Sequence, residues 1–132
     1  ISVHQLNQQM TNSDPSRVVT DYQMAKLAQA IEHFRTLDKE IPAQVIATFL
    51  YVASHDDCAK VDLEKALAFS SASGSRNTDW LSEFHRLNKA GLGLLIKYRD
   101  PTNRRKQIVK LSPKGRILVQ QLKTILYASE TI

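Results

Sequence analysis

Ser75, Arg76, Asn77, Thr78, Asp79, Ser82 and Arg86 lie on the side of a helical repeat opposite Trp80, Leu81, Phe84 and Leu87. A helix with one packing face and one face of short polar or charged side chains fits the major groove of a duplex. Arg and Asn can make paired hydrogen bonds to base edges, while Ser and Thr can bond bases or phosphates. A second cluster follows at a turn, with Thr102, Asn103, Arg104, Arg105 and Lys106 at its tip and Lys97 and Arg99 on the segment leading in. Basic side chains on a β-turn can neutralise phosphates or enter a minor groove.

Other residue types able to do chemistry lack the arrangement it needs. His55, Asp56, Asp57 and Cys58 are all metal-capable, but four adjacent positions on one turn do not converge on a single ion, and no second cluster stands at ligand spacing. Cys58 has no nearby cation beyond Lys60 to activate it and reads as a plain small residue. The chain has no glycine-rich phosphate loop, paired-carboxylate signature or nucleophile motif. Neither an enzyme nor a cofactor is expected.

The elements that must position the two clusters follow from periodicity and punctuation. Residues 1–14 are polar and read as an arm, and residues 15–132 as a single domain. Asp14-Pro15 opens a long helix to about Leu37, with Asp as cap and Pro at the first helical position. Pro42 opens a second helix, apolar nearly all round, ending near Ser54. Val61 begins a very short strand, and Asp62 caps a short third helix to about Phe69 with Leu63, Ala66 and Leu67 inward. The run Ser70 to Ser75 reads as a turn between helices, and the fourth helix extends from about Arg76 to Lys89, with Gly91 as a left-handed terminator.

The period then changes to two. Leu94, Ile96 and Tyr98 alternate with Leu95, Lys97 and Arg99, Asp100-Pro101-Thr102-Asn103 has turn chemistry, and Lys106 to Leu111 returns, so residues 92–111 form a hairpin. Ser112-Pro113 starts a last helix to about Tyr127, with Ile117, Leu118, Leu122, Ile125 and Leu126 as its apolar stripe. The expected fold is mostly α with a small β-hairpin: a winged helix-turn-helix flanked by N- and C-terminal helices.

Charge divides along the same line. Residues 76–123 hold twelve Lys and Arg against three acids, whereas residues 1–75 hold six against nine, within a net charge of +5. A basic second half suggests a surface built for a polyanion. No apolar run approaches the ~20 residues of a membrane span, and no basic segment followed by an apolar stretch marks a secretory leader. A single cysteine, unable to form an internal disulfide, fits a reducing cytoplasmic setting.

The segments Leu87-Asn88-Lys89-Ala90-Gly91-Leu92, Tyr98-Arg99-Asp100-Pro101-Thr102-Asn103-Arg104-Arg105 and Val109-Lys110-Leu111-Ser112-Pro113-Lys114-Gly115 together resemble the MarR family of winged-helix regulators. The resemblance runs from about Ile41 to Leu118. It implies that residues around Thr78 to Ser82 enter the major groove and that Arg104 and Arg105 sit in the wing. It also implies homodimerisation through the terminal helices, a transcriptional role that is often repression, and a cleft for a small-molecule effector of unknown identity. Asn103 stands where the family often has Asp, and Leu81-Ser82 where it has Ser-Arg. The segment after the wing has room for one helix rather than two. Two other uses of the same fold remain open: a DNA-binding protein of plasmid or phage replication or segregation, and a protein-interaction module.

Overall fold

The structure, a computed structural model, describes residues 18–83 and 90–128. The chain divides into two compact units, one of residues 40–119 and one of residues 1–39 with 120–132. The expected arm and the Asp14-Pro15 helix start lie outside the described residues.

In the second of these, α1 (Tyr22–Leu37) is capped by Asp21, whose side chain accepts from the Met24 backbone N–H at 3.1 Å. The helix therefore begins later than its apolar spacing suggests, and Val18 and Val19 precede it in irregular chain. Its buried residues are Ala25, Gln29, Ala30 and Phe34. The last turns of the C-terminal helix belong to the same unit, bury Leu122 and Ile125, and meet α1 where His33 Nε2 and Gln121 Oε1 lie 2.7 Å apart.

The larger unit starts with α2 (Ala43–His55), which buries Val45, Ile46, Thr48, Phe49 and Val52 and is the centre of the core. Strand β1 is Cys58–Ala59, earlier than the strand expected at Val61. Helix α3 (Lys60–Ala66) follows directly. Asp62 lies in its first turn instead of capping it, and of the three residues expected inward only Leu63 is fully buried.

Helix α4 (Ser71–Leu81) departs most from the expected boundaries. It starts five residues early, because the turn before it is made by Leu67, Ala68 and Phe69. Phe69 N–H donates to Glu64 C=O at 2.8 Å and Ala68 N–H to Lys65 C=O at 3.4 Å, with Ala68 at φ 56°. That is a Schellman ending built on alanine rather than glycine. The Ser70–Ser75 run is the start of the helix itself, with Ser70 Oγ accepting from Ser73 N–H at 3.1 Å. Ser82 caps the far end, so the described helix stops well short of Lys89.

The chain then returns alongside α4. Leu92 N–H donates to Trp80 C=O, Gly93 N–H to Ser82 C=O and Leu94 N–H to Leu81 C=O. Gly91 is not left-handed, as Gly93 (φ 69°) holds that role. A Cβ on Gly91 would instead overlap the Ser82 carbonyl, so glycine is required there for close approach.

Strands β2 (Leu95–Arg99) and β3 (Gln107–Leu111) pair antiparallel, with Lys97 opposite Val109. Strand β1 adds to the other edge of β3, giving the order β1-β3-β2. Helix α5 (Pro113–Leu126) starts at Ser112, whose Oγ accepts from Gly115 N–H at 3.0 Å and donates to Gly93 C=O at 2.6 Å. Leu118, Leu122 and Ile125 of its stripe are buried, whereas Ile117 and Leu126 are exposed.

Candidate nucleic-acid interface

Moving α4 back by five residues changes which side chains it offers. Gly74, Asn77, Thr78 and Leu81 form its buried face at helical spacing. Asn77 and Thr78, expected to reach a duplex, are therefore interior. Asn77 Nδ2 donates to Gln44 Oε1 at 3.4 Å, and Thr78 Oγ1 donates to Gly74 C=O at 2.8 Å. Trp80, expected in the core, is only half-buried. Ser82 is half-buried and turns its hydroxyl back onto Thr78 C=O at 2.6 Å.

The exposed face consists of Ser71, Ala72 and Arg76, flanked by half-buried Ser73 and Ser75. Arg76 Nη2 donates to Ser73 Oγ at 3.1 Å, which lays the guanidinium along the first turn. Ser71 and Ser73 escape sequence reading because a serine-rich run with one glycine has the composition of a turn. The signal for a helix was Ser70, a good cap three residues ahead of another serine. Arg86, with Phe84 and Leu87, lies outside the described residues.

Asp79 and Lys97 meet each other. The Lys97 ammonium pairs with the Asp79 carboxylate and donates to Thr78 Oγ1 at 3.1 Å, with the two charged side chains 17% and 22% accessible. A cavity of about 350 Å³ lies beside this pair, lined by Asp79, Ser82, Glu83, Leu95, Ile96 and Lys97.

The wing tip is organised by its two Asx side chains. Asp100 Oδ1 accepts from Thr102 N–H at 2.9 Å and from Thr102 Oγ1 at 2.8 Å. These bonds, with the nearby Lys106 charge, hold the Asp100 carboxyl below the usual carboxylate range. Asn103 Oδ1 accepts from Arg105 N–H at 3.2 Å, so the amide forms this turn without an Asp. Backbone bonds from Asn103 N–H to Asp100 C=O and from Asp100 N–H to Lys106 C=O close the loop. Arg104, Arg105 and Lys106 project into solvent from this frame, and exposed Arg99 donates to Arg104 C=O at 3.4 Å.

The remaining chemistry-bearing residues are engaged locally. Tyr98 donates to Asp57 at 2.8 Å, which raises the phenol's pKa. Burial, then the charges of Asp62 and Asp57, raise the Cys58 thiol's pKa, which keeps it protonated at neutral pH. Among the described residues no group of three or more His, Cys, Asp or Glu side chains gathers where an ion could sit. No described helix is long and apolar enough to cross a membrane.

A helix-turn-helix (α3, α4) followed by an extended β2–β3 hairpin, with β1 from before α3 on the outer edge of β3, is a winged helix-turn-helix. The same fold is found in solved MarR-family structures. The MepR–DNA complex of S. aureus superposes with a TM-score of 0.58 at 22% identity, covering 76% of this chain and 72% of that one. A mutant MarR from E. coli complexed with operator DNA gives 0.58 at 20%, covering 80% and 69%. BpsR of Bordetella bronchiseptica, whose DNA binding is regulated by 6-hydroxynicotinic acid, gives 0.52 at 25%, covering 75% and 74%. No family model and no curated protein matches the sequence. The likeness establishes the fold that the sequence motifs imply.

Proposed function

We propose that this protein is a sequence-specific regulator of transcription that binds double-stranded DNA as a homodimer, with α4 in the major groove and the wing on the adjacent backbone or minor groove. The carrying observation is that the exposed first turns of α4 and the cationic tip of the wing belong to one compact unit. An α4 face of small hydroxyls and one exposed guanidinium can approach base edges closely, and the α4 N-terminus adds backbone N–H groups suited to phosphate. Arg104, Arg105 and Lys106 supply the charge that neutralises backbone. Thr102 and Asn103 shape the turn that presents them. Similar structures include complexes with DNA and a DNA-bound transcriptional repressor, CouR. A repressor acting in the cytoplasm, tuned by an effector of unknown identity, is the finer reading that this likeness favours.

Selection of binding sites from random duplexes, run with wild type and with Arg104→Ala/Arg105→Ala, tests the proposal. A dimer should select a near-palindrome with half-sites about 34–36 Å apart, and the double variant should lose affinity for it. Binding without a consensus would transfer the protein to an architectural or segregation role. Absence of binding would leave the fold serving protein contacts.

A further inference from the structure

Lys97 has the charge of a phosphate contact but not its placement. Its register partner Val109 is fully buried, while its neighbour Ile96 is on the exposed face of the strand. The lysine stem therefore enters the unit from the inner side of the sheet, and its ammonium emerges against α4. There it is committed to the Asp79 carboxylate and the Thr78 hydroxyl. Thr78 is completely buried and spends its own proton on Gly74 C=O, so Lys97 is the donor its oxygen receives.

We infer that Lys97 and Asp79 are positioning residues, a tie that fixes the angle between α4 and the wing without touching DNA. This rests on the DNA-binding reading above. The backbone bonds of Leu92, Gly93 and Leu94 attach the strand's lead-in to one end of α4, at Trp80, Leu81 and Ser82. The Lys97 tie falls further along the strand and further back on the helix, and a second point of attachment fixes a direction. The electrostatics agree, because the pair is neutral and contributes no net attraction to a phosphate.

The test uses the full chain with Asp79→Asn, Lys97→Met and the double variant, read in two independent ways. Without DNA, amide hydrogen exchange at Leu92, Gly93 and Leu94 should quicken in both single variants. With DNA, each single variant should lose about three- to tenfold of its preference for the selected site over random duplex, the scale of a partly shielded ion pair. The slope of affinity against salt should stay that of wild type, and the double variant should resemble either single one. Asp79→Asn is decisive in sign, since it removes a negative charge yet should weaken discrimination. Unchanged exchange, a slope lowered by about one in Lys97→Met and tighter binding of every duplex by Asp79→Asn would overturn the inference and make Lys97 a phosphate contact. If wild type binds no duplex, the functional reading fails, and the exchange data alone decide whether the tie exists.

Discussion

Gly74 of α4 lies directly over the Glu64 carboxylate of α3, so closely that a Cβ on the glycine would overlap Glu64 Oε2, Cγ and Cδ. Glycine is a poor helix former, about 1 kcal/mol worse than alanine. Its presence inside α4 reflects how near the two helices approach. Glu64 cannot swing aside cheaply, because Lys60 Nζ holds its Oε2 at 2.5 Å in a buried pair. Gly74→Ala should therefore destabilise the protein. Overpacking of about 1–3 kcal/mol outweighs the propensity gained. Ser75→Ala, one position along at a half-buried site, should be neutral or slightly stabilising. Urea unfolding of the two variants checks the contrast, and a stable Gly74→Ala would refute the packing argument.

The Lys60–Glu64 pair yields a second expectation. Lys60→Met leaves a carboxylate buried without its cation and should cost about 3–5 kcal/mol. Lys60→Met/Glu64→Leu removes both charges and should recover most of that loss, since a buried ion pair contributes little beyond its own desolvation. Equal instability of the single and double variants would show that the charges matter separately.

Ala68 occupies the left-handed position that ends α3, at φ 56°. A Cβ there costs roughly 1–2 kcal/mol, against about 0.5–1 kcal/mol of extra chain entropy lost by glycine on folding. Ala68→Gly should thus stabilise by up to about 1 kcal/mol, measured as an upward shift of the urea midpoint with unchanged slope.

That same residue explains where sequence reading went astray. The order of elements, the hairpin, its turn at Asp100-Pro101 and the Ser112-Pro113 start were legible because period and punctuation agreed. The helix-turn-helix boundary was not. Its true turn carries no glycine, whereas the following helix contains Gly74 together with Ser71, Ser73 and Ser75. Composition thus placed the start of the following helix five residues late and put Asn77 and Thr78 on the wrong face. Strand β1 was displaced for another reason: two residues pairing with β3 have no periodicity of their own. The wing arginines were readable because exposed charges on a turn need no tertiary information. The Lys97–Asp79 tie depends on long-range contact and was invisible.

The wing should respond to acid. Asp100 has a folded pKa below its unfolded value, so its contribution to the turn is complete above about pH 3.9 and is lost as pH falls through the folded value. Thr102→Val removes one of the bonds responsible, the 2.8 Å donation from Oγ1. An NMR titration of the Asp100 carboxyl carbon should show a midpoint below 3.9 in wild type and a higher one in the variant. Coincident midpoints would mean that the hydroxyl does not stabilise the charge.

The proposed homodimer makes the last expectation. Met24, Leu27 and Ile31 recur at i, i+3 and i+7 on α1 and are 57%, 52% and 38% exposed. Buried Ala25, Ala30 and Phe34 supply the inward side of this helix, so the outer stripe is apolar surface that the other described residues leave uncovered. A second copy would cover it. Leu27→Glu places a charge at its centre, where burial without a partner is costly. Sedimentation equilibrium should find wild type dimeric and Leu27→Glu monomeric, with helical content retained by circular dichroism. Affinity for the selected palindrome should fall about 100-fold or more, because the second half-site no longer binds intramolecularly, while contact with one half-site should persist. A Leu27→Glu protein that remains dimeric would place the interface elsewhere, and a monomeric wild type that still selects a palindrome would show that the dimer forms on the DNA.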